Sequence, residues 1–322
     1  MTKAKIAGVG SFVPHKVLAN HDLSKMVDTS DEWILDRTGI RERRLSDEWT
    51  ATSDLALVAA ERALASAKIF PKQLDLIIVA TCSPDTLFPS VACILQDKLK
   101  AENAAAFDLS AACSGFNYGL AVGSSFIASR SYKKILVVGA DTLTKYLDWT
   151  DRGTCILFGD GAGAVVLEPS KDPHHGILAN YLNAEGNLGF NLVMPGGGSR
   201  DPEQKNGRFI KMDGKEVFKF AVRALEKSVS EVLKMAGLKA SDIDLLIPHQ
   251  ANIRIINHVI KKMGLSKEKV YVNLQKYGNT SAASVPLALD EAVAGGRVKS
   301  GDILVLGGFG AGLTSASNLI RW

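Results

Sequence analysis

The chain has 322 residues, enough for two ordinary domains or one large one with a substantial core. Hydrophobic residues make up 46% and charged residues 22%, the balance of an ordinary soluble globular protein. With 38 basic and 34 acidic side chains the net charge is +4, too mild to argue for a nucleic-acid partner.

The N-terminal stretch MTKAKIAGVGSFVP has an apolar run too short and too broken by glycine for a signal peptide. No segment offers about 18 uninterrupted apolar residues, so neither a transmembrane helix nor a membrane partner is expected. Four cysteines, Cys82, Cys93, Cys113 and Cys155, show no C-x-x-C spacing and no Cys/His cluster. That pattern points to free thiols in a reducing, cytoplasmic compartment and to no metal site.

Further along, LALVAAERALASAKI has the spacing of an amphipathic helix, and LDLIIVA, FDLS, KILVVGA and GAVVLE read as strands. Between FDLS and KILVVGA, the segment SGFNYGLAVGSSFIAS is small or apolar all round, which predicts a buried helix. Its Gly115, Gly119 and Gly123 mimic a membrane dimer motif, but Asp108, Asn117 and Tyr118 interrupt the segment, so helix packing inside the protein is the better reading. The G-x-G-x-G within GDGAGAVVL is followed by a strand rather than a helix, which argues against a dinucleotide loop. A polar linker with proline and glycine, EPSKDPHHG, follows.

Beyond it the pattern returns. LDLIIVA at Leu74 matches IDLLIPH at Ile243, an offset of 169; KILVVGAD matches DILVLGGF with Ile135 and Ile303 offset by 168; FDLS matches VNLQ with Phe107 and Val272 offset by 165. RALEKSVSEVLKMAG repeats the amphipathic helix, and TSAASVPLALDEAV repeats the small-residue helix. Continuous apolar strands suit sheets covered on both faces. The expected fold is therefore α/β, with halves at residues 1–171 and 172–322 packed as a five-layered αβαβα sandwich.

The duplication also places chemistry. Cys113 and Asn279, 166 residues apart, fall in equivalent turns before the two buried helices, and His249 ends a second-half strand at the edge where α/β sheets place ligands. A thiol at a helix N-terminus is expected to have a lowered pKa, and its small neighbours Ala111, Ala112, Ser114 and Gly115 leave room for an acyl group. Nucleophile, histidine and amide together suit covalent acyl chemistry. Cys82, Cys93 and Cys155 read as buried structural thiols, and His15, His21, His174, His175 and His258 as structural histidines.

AACSGF, PHQANIRII and YGNTSAASVP, with DLSKMVDTSDEWILDRTGIRERR, TDRGTCILFGDGAGAVVL and the closing GFGAGLTSASNLIRW, resemble the β-ketoacyl-acyl-carrier-protein synthase III family of bacterial fatty-acid synthesis over the whole chain. The resemblance implies a thiolase-like fold and a decarboxylative condensation of an acyl-CoA primer, expected to be acetyl-CoA, with malonyl-acyl carrier protein. It implies that Cys113 carries the acyl group, that His249 and Asn279 serve the decarboxylation, and that the backbone N–H groups of Cys113 and Ala311 form an oxyanion hole. Trp33, Arg37, Arg152, Gly214, Phe218, Ala221 and Asn252 are implied in coenzyme A binding. Phe88 is implied in the partner subunit's acyl pocket, hence a homodimer. Arg254, Lys219, Lys261 and Lys262 are implied in docking acidic acyl carrier protein. No cofactor is implied beyond the coenzyme A thioester and phosphopantetheine-bound substrates. The family's LTWG is LTSA here, with Ser315 and Ala316, and Ala311 stands where relatives often carry glycine. A related condensing enzyme of a quinolone, polyketide or long-chain ketone pathway shares the Cys–His–Asn set with another acyl donor. An acyl-carrying scaffold without condensation would have no use for His249 and Asn279.

Overall fold

The apolar runs form strands whose side chains are covered on both faces. In the computed structural model, which describes residues 2–322, the first half runs β1 (Ala4–Phe12), β2 (Lys16–Ala19), α1 (Asn20–Leu23), α2 (Asp31–Thr38), β3 (Glu42–Leu45), α3 (Thr52–Ala67), β4 (Leu76–Ala80), α4 (Val91–Leu99), β5 (Ala105–Leu109), α5 (Gly115–Ala128), β6 (Ile135–Asp141), α6 (Arg152–Cys155) and β7 (Gly161–Pro169). The second half runs β8 (Gly176–Ala184), β9 (Leu192–Val193), β10 (Lys211–Met212), α7 (Gly214–Met235), β11 (Leu245–Pro248), α8 (Ile253–Met263), α9 (Leu274–Tyr277), α10 (Ser284–Ala294), β12 (Ile303–Gly310) and β13 (Thr314–Arg321).

The two main sheets have strand orders β1-β7-β6-β4-β5 and β8-β13-β12-β11. In each, one side of the sheet is parallel (β6 with β4 and β4 with β5; β12 with β11) and the other antiparallel (β6 with β7 and β7 with β1; β12 with β13 and β13 with β8), so the halves share one topology apart from the extra strand β5. Helices α3 and α4 cover the outside of the first sheet, α7 and α8 the outside of the second, and α5 and α10 lie between the sheets. This is the thiolase-like five-layered sandwich.

The repeat fails at one place. VNLQ does not form the second half's fifth strand. Val270 makes only an isolated parallel bridge to Leu246, and the chain then turns into α9. Asn273 gives its backbone N–H to Gln250 Oε1 at 3.0 Å and its side-chain amide to Glu291 at 2.8 Å. These polar anchors take the place of a ladder. Conversely, β8 and β13 carry no continuous apolar run. β13 buries Ser315, Ser317 and Asn318, whose polar groups a hydropathy pattern assigns to the surface.

The middle layer explains the small-residue helices. Gly119 of α5 lies on β6, where a Cβ would come within 2.8 Å of Val137, so the glycine row packs on the sheet. Phe116 and Leu120 fill the layer together with Val285, Ala288 and Leu289 of α10. Each such fully buried large apolar side chain contributes about 1.5–3 kcal/mol. The two halves are also joined by amides. Asn117 of α5 donates to Asn318 Oδ1 (2.9 Å) and to the Leu306 carbonyl (3.1 Å), and Asn318 donates to the Asn117 carbonyl (3.1 Å) and to Asn180 Oδ1 (2.8 Å). Both side-chain atoms of Asn318 and the Asn117 NH₂ are partnered inside the protein, which makes their burial tolerable, whereas Asn117 Oδ1 is buried without a partner.

Replacing Asn318 by Leu should strand Asn180 Oδ1, cost the Asn117 NH₂ one of its two bonds, and lower stability by about 1–3 kcal/mol. Urea unfolding would measure this; an unchanged midpoint would show that the amide bridge does not hold the halves together.

Candidate active site

Two short turns meet where the sheets face each other. Ala112–Ser114 forms one turn of 3₁₀ helix ahead of α5, and Ser281–Ala283 forms one ahead of α10. Ala112 (φ 48°) and Ser281 (φ 52°) are both left-handed without being glycine, an arrangement that surrounding structure must impose. These two residues are the matching positions. Cys113 therefore corresponds to Ala282, and Asn279 lies two residues before Ser281. The sequence expectation of equivalent turns holds, but Cys113 and Asn279 are not equivalent positions in them.

Buried Asp141, at the end of β6, ties the Ser281–Ala283 turn to the segment that follows β4. Its carboxylate accepts from Thr81 Oγ1 (3.0 Å), the Cys82 N–H (2.8 Å), Ser83 Oγ (2.9 Å) and, across the pseudo-twofold axis, the Ala282 N–H (3.2 Å). Burial pushes its pKa up, and these hydrogen bonds oppose that shift.

Cys113 is buried, and the Ser281 hydroxyl donates to its Sγ at 3.3 Å. Burial pushes the thiol up to about 12; the Ser281 hydrogen bond works against this, and the Asp141 charge adds to it. This corrects the expectation of a lowered pKa from the helix terminus alone: desolvation outweighs it. The end of β12 lies against the nucleophile. A Cβ on Gly310 would come within 2.5 Å of the Cys113 backbone nitrogen, so only glycine fits there. The next residue, Ala311, lines a cavity with Cys113, and its φ is not left-handed, so alanine is accommodated without strain. Neither the Cys113 nor the Ala311 N–H has a protein acceptor among the described residues.

His249 follows β11, its backbone N–H donating to the Gly307 carbonyl at 2.7 Å. Its ring meets Phe309 edge-on, centroids 4.9 Å apart, and its Nδ1 lies 2.6 Å from Ser284 Oγ. Burial pushes the imidazole down to about 3, so the ring is neutral. Asn279 Oδ1 accepts the Ser281 N–H at 2.8 Å, which leaves its NH₂ as the free end. His249, Asn279 and Cys113 line one cavity with Phe309, Gly310, Gly214, Phe218 and Asn252. A second cavity of about 260 Å³ extends from Cys113 between Cys82, Leu143, Met194 and Ile210.

The other expected residues fall in three places. Gly214, Phe218 and Asn252 line the Cys113 cavity, but Ala221 does not: it is wholly buried in the core beneath α7. Trp33, Arg37 and Arg152 form a separate cluster at the surface, with the Arg152 guanidinium 4.7 Å and that of Arg37 5.0 Å from the indole centroid. Asn252 connects the two places by donating to the Arg37 carbonyl at 3.1 Å. Phe88 is 85% exposed and lines neither of the cavities at Cys113. Arg254 pairs with Asp36 at 2.7 Å, and Lys219 with Glu216 at 2.7 Å. Lys261 lies seven residues after Arg254 on α8, two turns along the same face. Lys262 instead lines a groove with Leu233, Lys234 and Leu238 beside the C-terminal end of α7, at the opposite end from Gly214. It is therefore removed from the tunnel-mouth set.

Sequence reasoning missed Ser281, Ser284, Phe309 and Asp141. It read Cys82 as merely structural, whereas Cys82 lines the second cavity, and it expected Cys93 to be buried, whereas Cys93 is exposed. Ser315, in the place of the family's indole, is buried opposite Phe309 in the β12–β13 ladder, so the departure lies one residue away from the His249 ring.

A buried thiol at the junction of two duplicated α/β halves, on the five-layered fold, marks the thiolase-like condensing acyltransferases. Within that class the comparisons are specific. The family models for 3-oxoacyl-[acyl-carrier-protein] synthase III match residues 107–186 and, for its C-terminal part, 233–322. A β-ketoacyl-[acyl-carrier-protein] synthase III of Caldanaerobacter subterraneus subsp. tengcongensis is 56% identical over 99% of this chain and 98% of its own, and one of Natranaerobius thermophilus is 53% identical over the full length of both. The crystal structure of 3-oxoacyl-[acyl-carrier-protein] synthase III from Aquifex aeolicus superposes with a TM-score of 0.93 at 50% identity, covering 100% of each chain. The chain belongs to the β-ketoacyl-acyl-carrier-protein synthase III family, and it is the fatty-acid condensing reading, not the quinolone, polyketide or ketone alternative, that these relatives support.

The neutral histidine has a consequence for stability. An unfolded histidine binds a proton near pH 6.5, whereas His249 in the fold resists protonation down to about pH 3. Between these values the unfolded chain holds more protons, so this contribution to stability is complete above pH 6.5 and is lost progressively on acidification. At pH 5.5 the loss should be about 1 kcal/mol, and His249→Gln should abolish it. Urea unfolding of both proteins at pH 7.5 and 5.5 checks this; equal acid sensitivity would refute it.

Proposed function

We propose that the chain transfers an acyl group from acyl-CoA, with acetyl-CoA as the primer, to Cys113, and then condenses it with malonyl-acyl carrier protein. In the first half-reaction the Cys113 sulfur attacks the thioester carbonyl while the backbone N–H groups of Cys113 and Ala311 receive the oxyanion. The thiol proton leaves with the coenzyme A sulfur. In the second, the malonyl group loses carbon dioxide and negative charge develops on its thioester oxygen. His249 Nε2–H and Asn279 Nδ2–H donate to that oxygen, the enolate carbon attacks the acyl carbonyl on Cys113, and the cysteine sulfur departs as a thiolate that takes up one proton from solvent, leaving 3-oxoacyl-acyl carrier protein.

One observation carries the reading. His249 and Asn279 each have their inward polar atom occupied, by Ser284 and by the Ser281 N–H, so each has a donor left for the cavity that Cys113 also lines. Two neutral donors suit an enolate because they stabilise the charge without being neutralised by a resident partner.

Coenzyme A binding is assigned to Gly214, Phe218 and Asn252 along the cavity and to Trp33, Arg37 and Arg152 at its outer end. An adenine between Trp33 and Arg152 requires the guanidinium to swing off the indole, releasing its 2.8 Å bond to the Asp28 carbonyl. Arg254, Lys219 and Lys261 are assigned to carrier-protein docking, where exchange of Asp36 and Glu216 for the carrier's carboxylates keeps each cation paired. The exposed Phe88 is assigned to the acyl pocket of a second copy in a homodimer, where it limits primer length. No helix among the described residues is long and apolar enough to cross a membrane, which is consistent with a cytoplasmic enzyme.

Intact mass spectra after mixing with acetyl-CoA, longer straight-chain acyl-CoAs and branched acyl-CoAs should show one acetyl adduct on the wild type and none on Cys113→Ala. Adducts from longer or branched donors alone would overturn acetyl-CoA as primer, and no adduct from any donor would overturn the covalent mechanism. His249→Ala and Asn279→Ala should each keep acylation and lose malonyl decarboxylation by about 100- to 1,000-fold.

A further inference from the structure

We propose that Ser284 is a positioning residue for the condensation: its hydroxyl donates to His249 Nδ1 and so holds the single imidazole proton on Nε2, toward the cavity. The proposal rests on the reading of His249 as an enolate donor and adds what keeps it one.

A neutral imidazole has one N–H and one bare nitrogen, and only the tautomer with the proton on Nε2 can donate into the cavity. Ser284 Oγ lies 2.6 Å from Nδ1, and both residues are 1% exposed, so water does not arbitrate between the tautomers. The backbone N–H of Gln250 already points at Ser284 Oγ, at 3.4 Å. If Nδ1 carried the proton, Oγ would face two donors, and its own hydrogen would have no acceptor among the described residues. With the proton on Nε2, Oγ accepts from Gln250 and donates to Nδ1, and every group is used. A buried hydrogen-bonding group left without a partner is costly, so satisfaction of Ser284 selects the tautomer.

The geometry of this relay is held on both sides. Gln250 cannot rotate away, because its side chain donates to the Pro248 carbonyl (2.7 Å) and the Tyr271 carbonyl (3.2 Å) and accepts the Asn273 N–H (3.0 Å). Ser284 is the first residue of α10 and is as rigid as that buried helix. Phe309 packs edge-on against the imidazole, leaving the ring little freedom to flip. The device parallels the one at Asn279, whose Oδ1 is held by the Ser281 N–H.

The test compares wild type, Ser284→Ala, Ser284→Thr and His249→Ala. With ¹⁵N-labelled histidine, the wild-type His249 ring, assigned by its loss in His249→Ala, should show a protonated Nε2 and a bare Nδ1. Ser284→Ala should mix the tautomers and slow malonyl-carrier decarboxylation about tenfold, the cost of one hydrogen bond, while Cys113 acylation followed by intact mass stays within about twofold. Ser284→Thr, which keeps the hydroxyl, should recover most of the loss. A proton on Nδ1 in the wild type, unchanged decarboxylation in Ser284→Ala, or an equal fall in both half-reactions would each overturn the proposal. Failure of the underlying reading is distinct: it would appear as His249→Ala retaining decarboxylation.

Discussion

The site depends on two strained turns that meet at the Ser281–Cys113 hydrogen bond, one of them anchored across the halves by the Asp141 carboxylate. Asp141 reaches the end of β4 through Thr81, Cys82 and Ser83 and the opposite half through Ala282. The residue before Cys113 and its counterpart, Ser281, are both left-handed, and neither turn would keep that backbone as an isolated peptide. Their mutual contact places the Ser281 hydroxyl on the Cys113 sulfur and aligns Asn279 through the Ser281 N–H. Cys113 and Asn279 are thus positioned by the same three-residue turn.

Burial gives the site its electrostatic character. The thiol and the imidazole are each pushed toward their neutral forms, Cys113 up to about 12 and His249 down to about 3. A site of this kind holds no charged pair at rest. What it offers a ligand is unpaired N–H groups fixed in place by the fold, which need no reorganisation to donate. The cost is a thiol less acidic than the helix end by itself would make it. The same desolvation that raises Cys113 also keeps the His249 ring neutral.

The outer cluster is built differently from the inner cavity. The inner cavity is apolar and fixed by strand ends and α7, whereas the Trp33 cluster and Arg254 are exposed and held by contacts that a ligand can replace. Exposed ion pairs contribute little to stability, so exchanging Asp36 for a carboxylate of a partner is nearly neutral in energy. The departures at Ser315 and Ala316 lie behind Phe309, on the inner wall rather than in this exposed cluster.

The sequence by itself determined the duplication, the alternating strands and helices, the buried character of α5 and α10, and the identity of Cys113, His249 and Asn279. These are carried by local signals: apolar runs, helical spacing and short motifs whose offset between halves is nearly constant. Only the tertiary structure decided the rest. VNLQ has strand-like composition, but Gln250 and Glu291 capture Asn273 and end the pairing after one bridge. β13 looks polar, yet Asn117, Asn180 and Ser228 satisfy its buried groups from other elements. Ala221 and Lys262 have the right neighbours in sequence but face the core and the far end of α7. The pKa of Cys113 and the tautomer of His249 depend on desolvation and on Ser281 and Ser284, 168 and 35 residues away. Such properties arise from which groups exclude water and which donors remain unpaired, and both are settled only when the two halves close on each other.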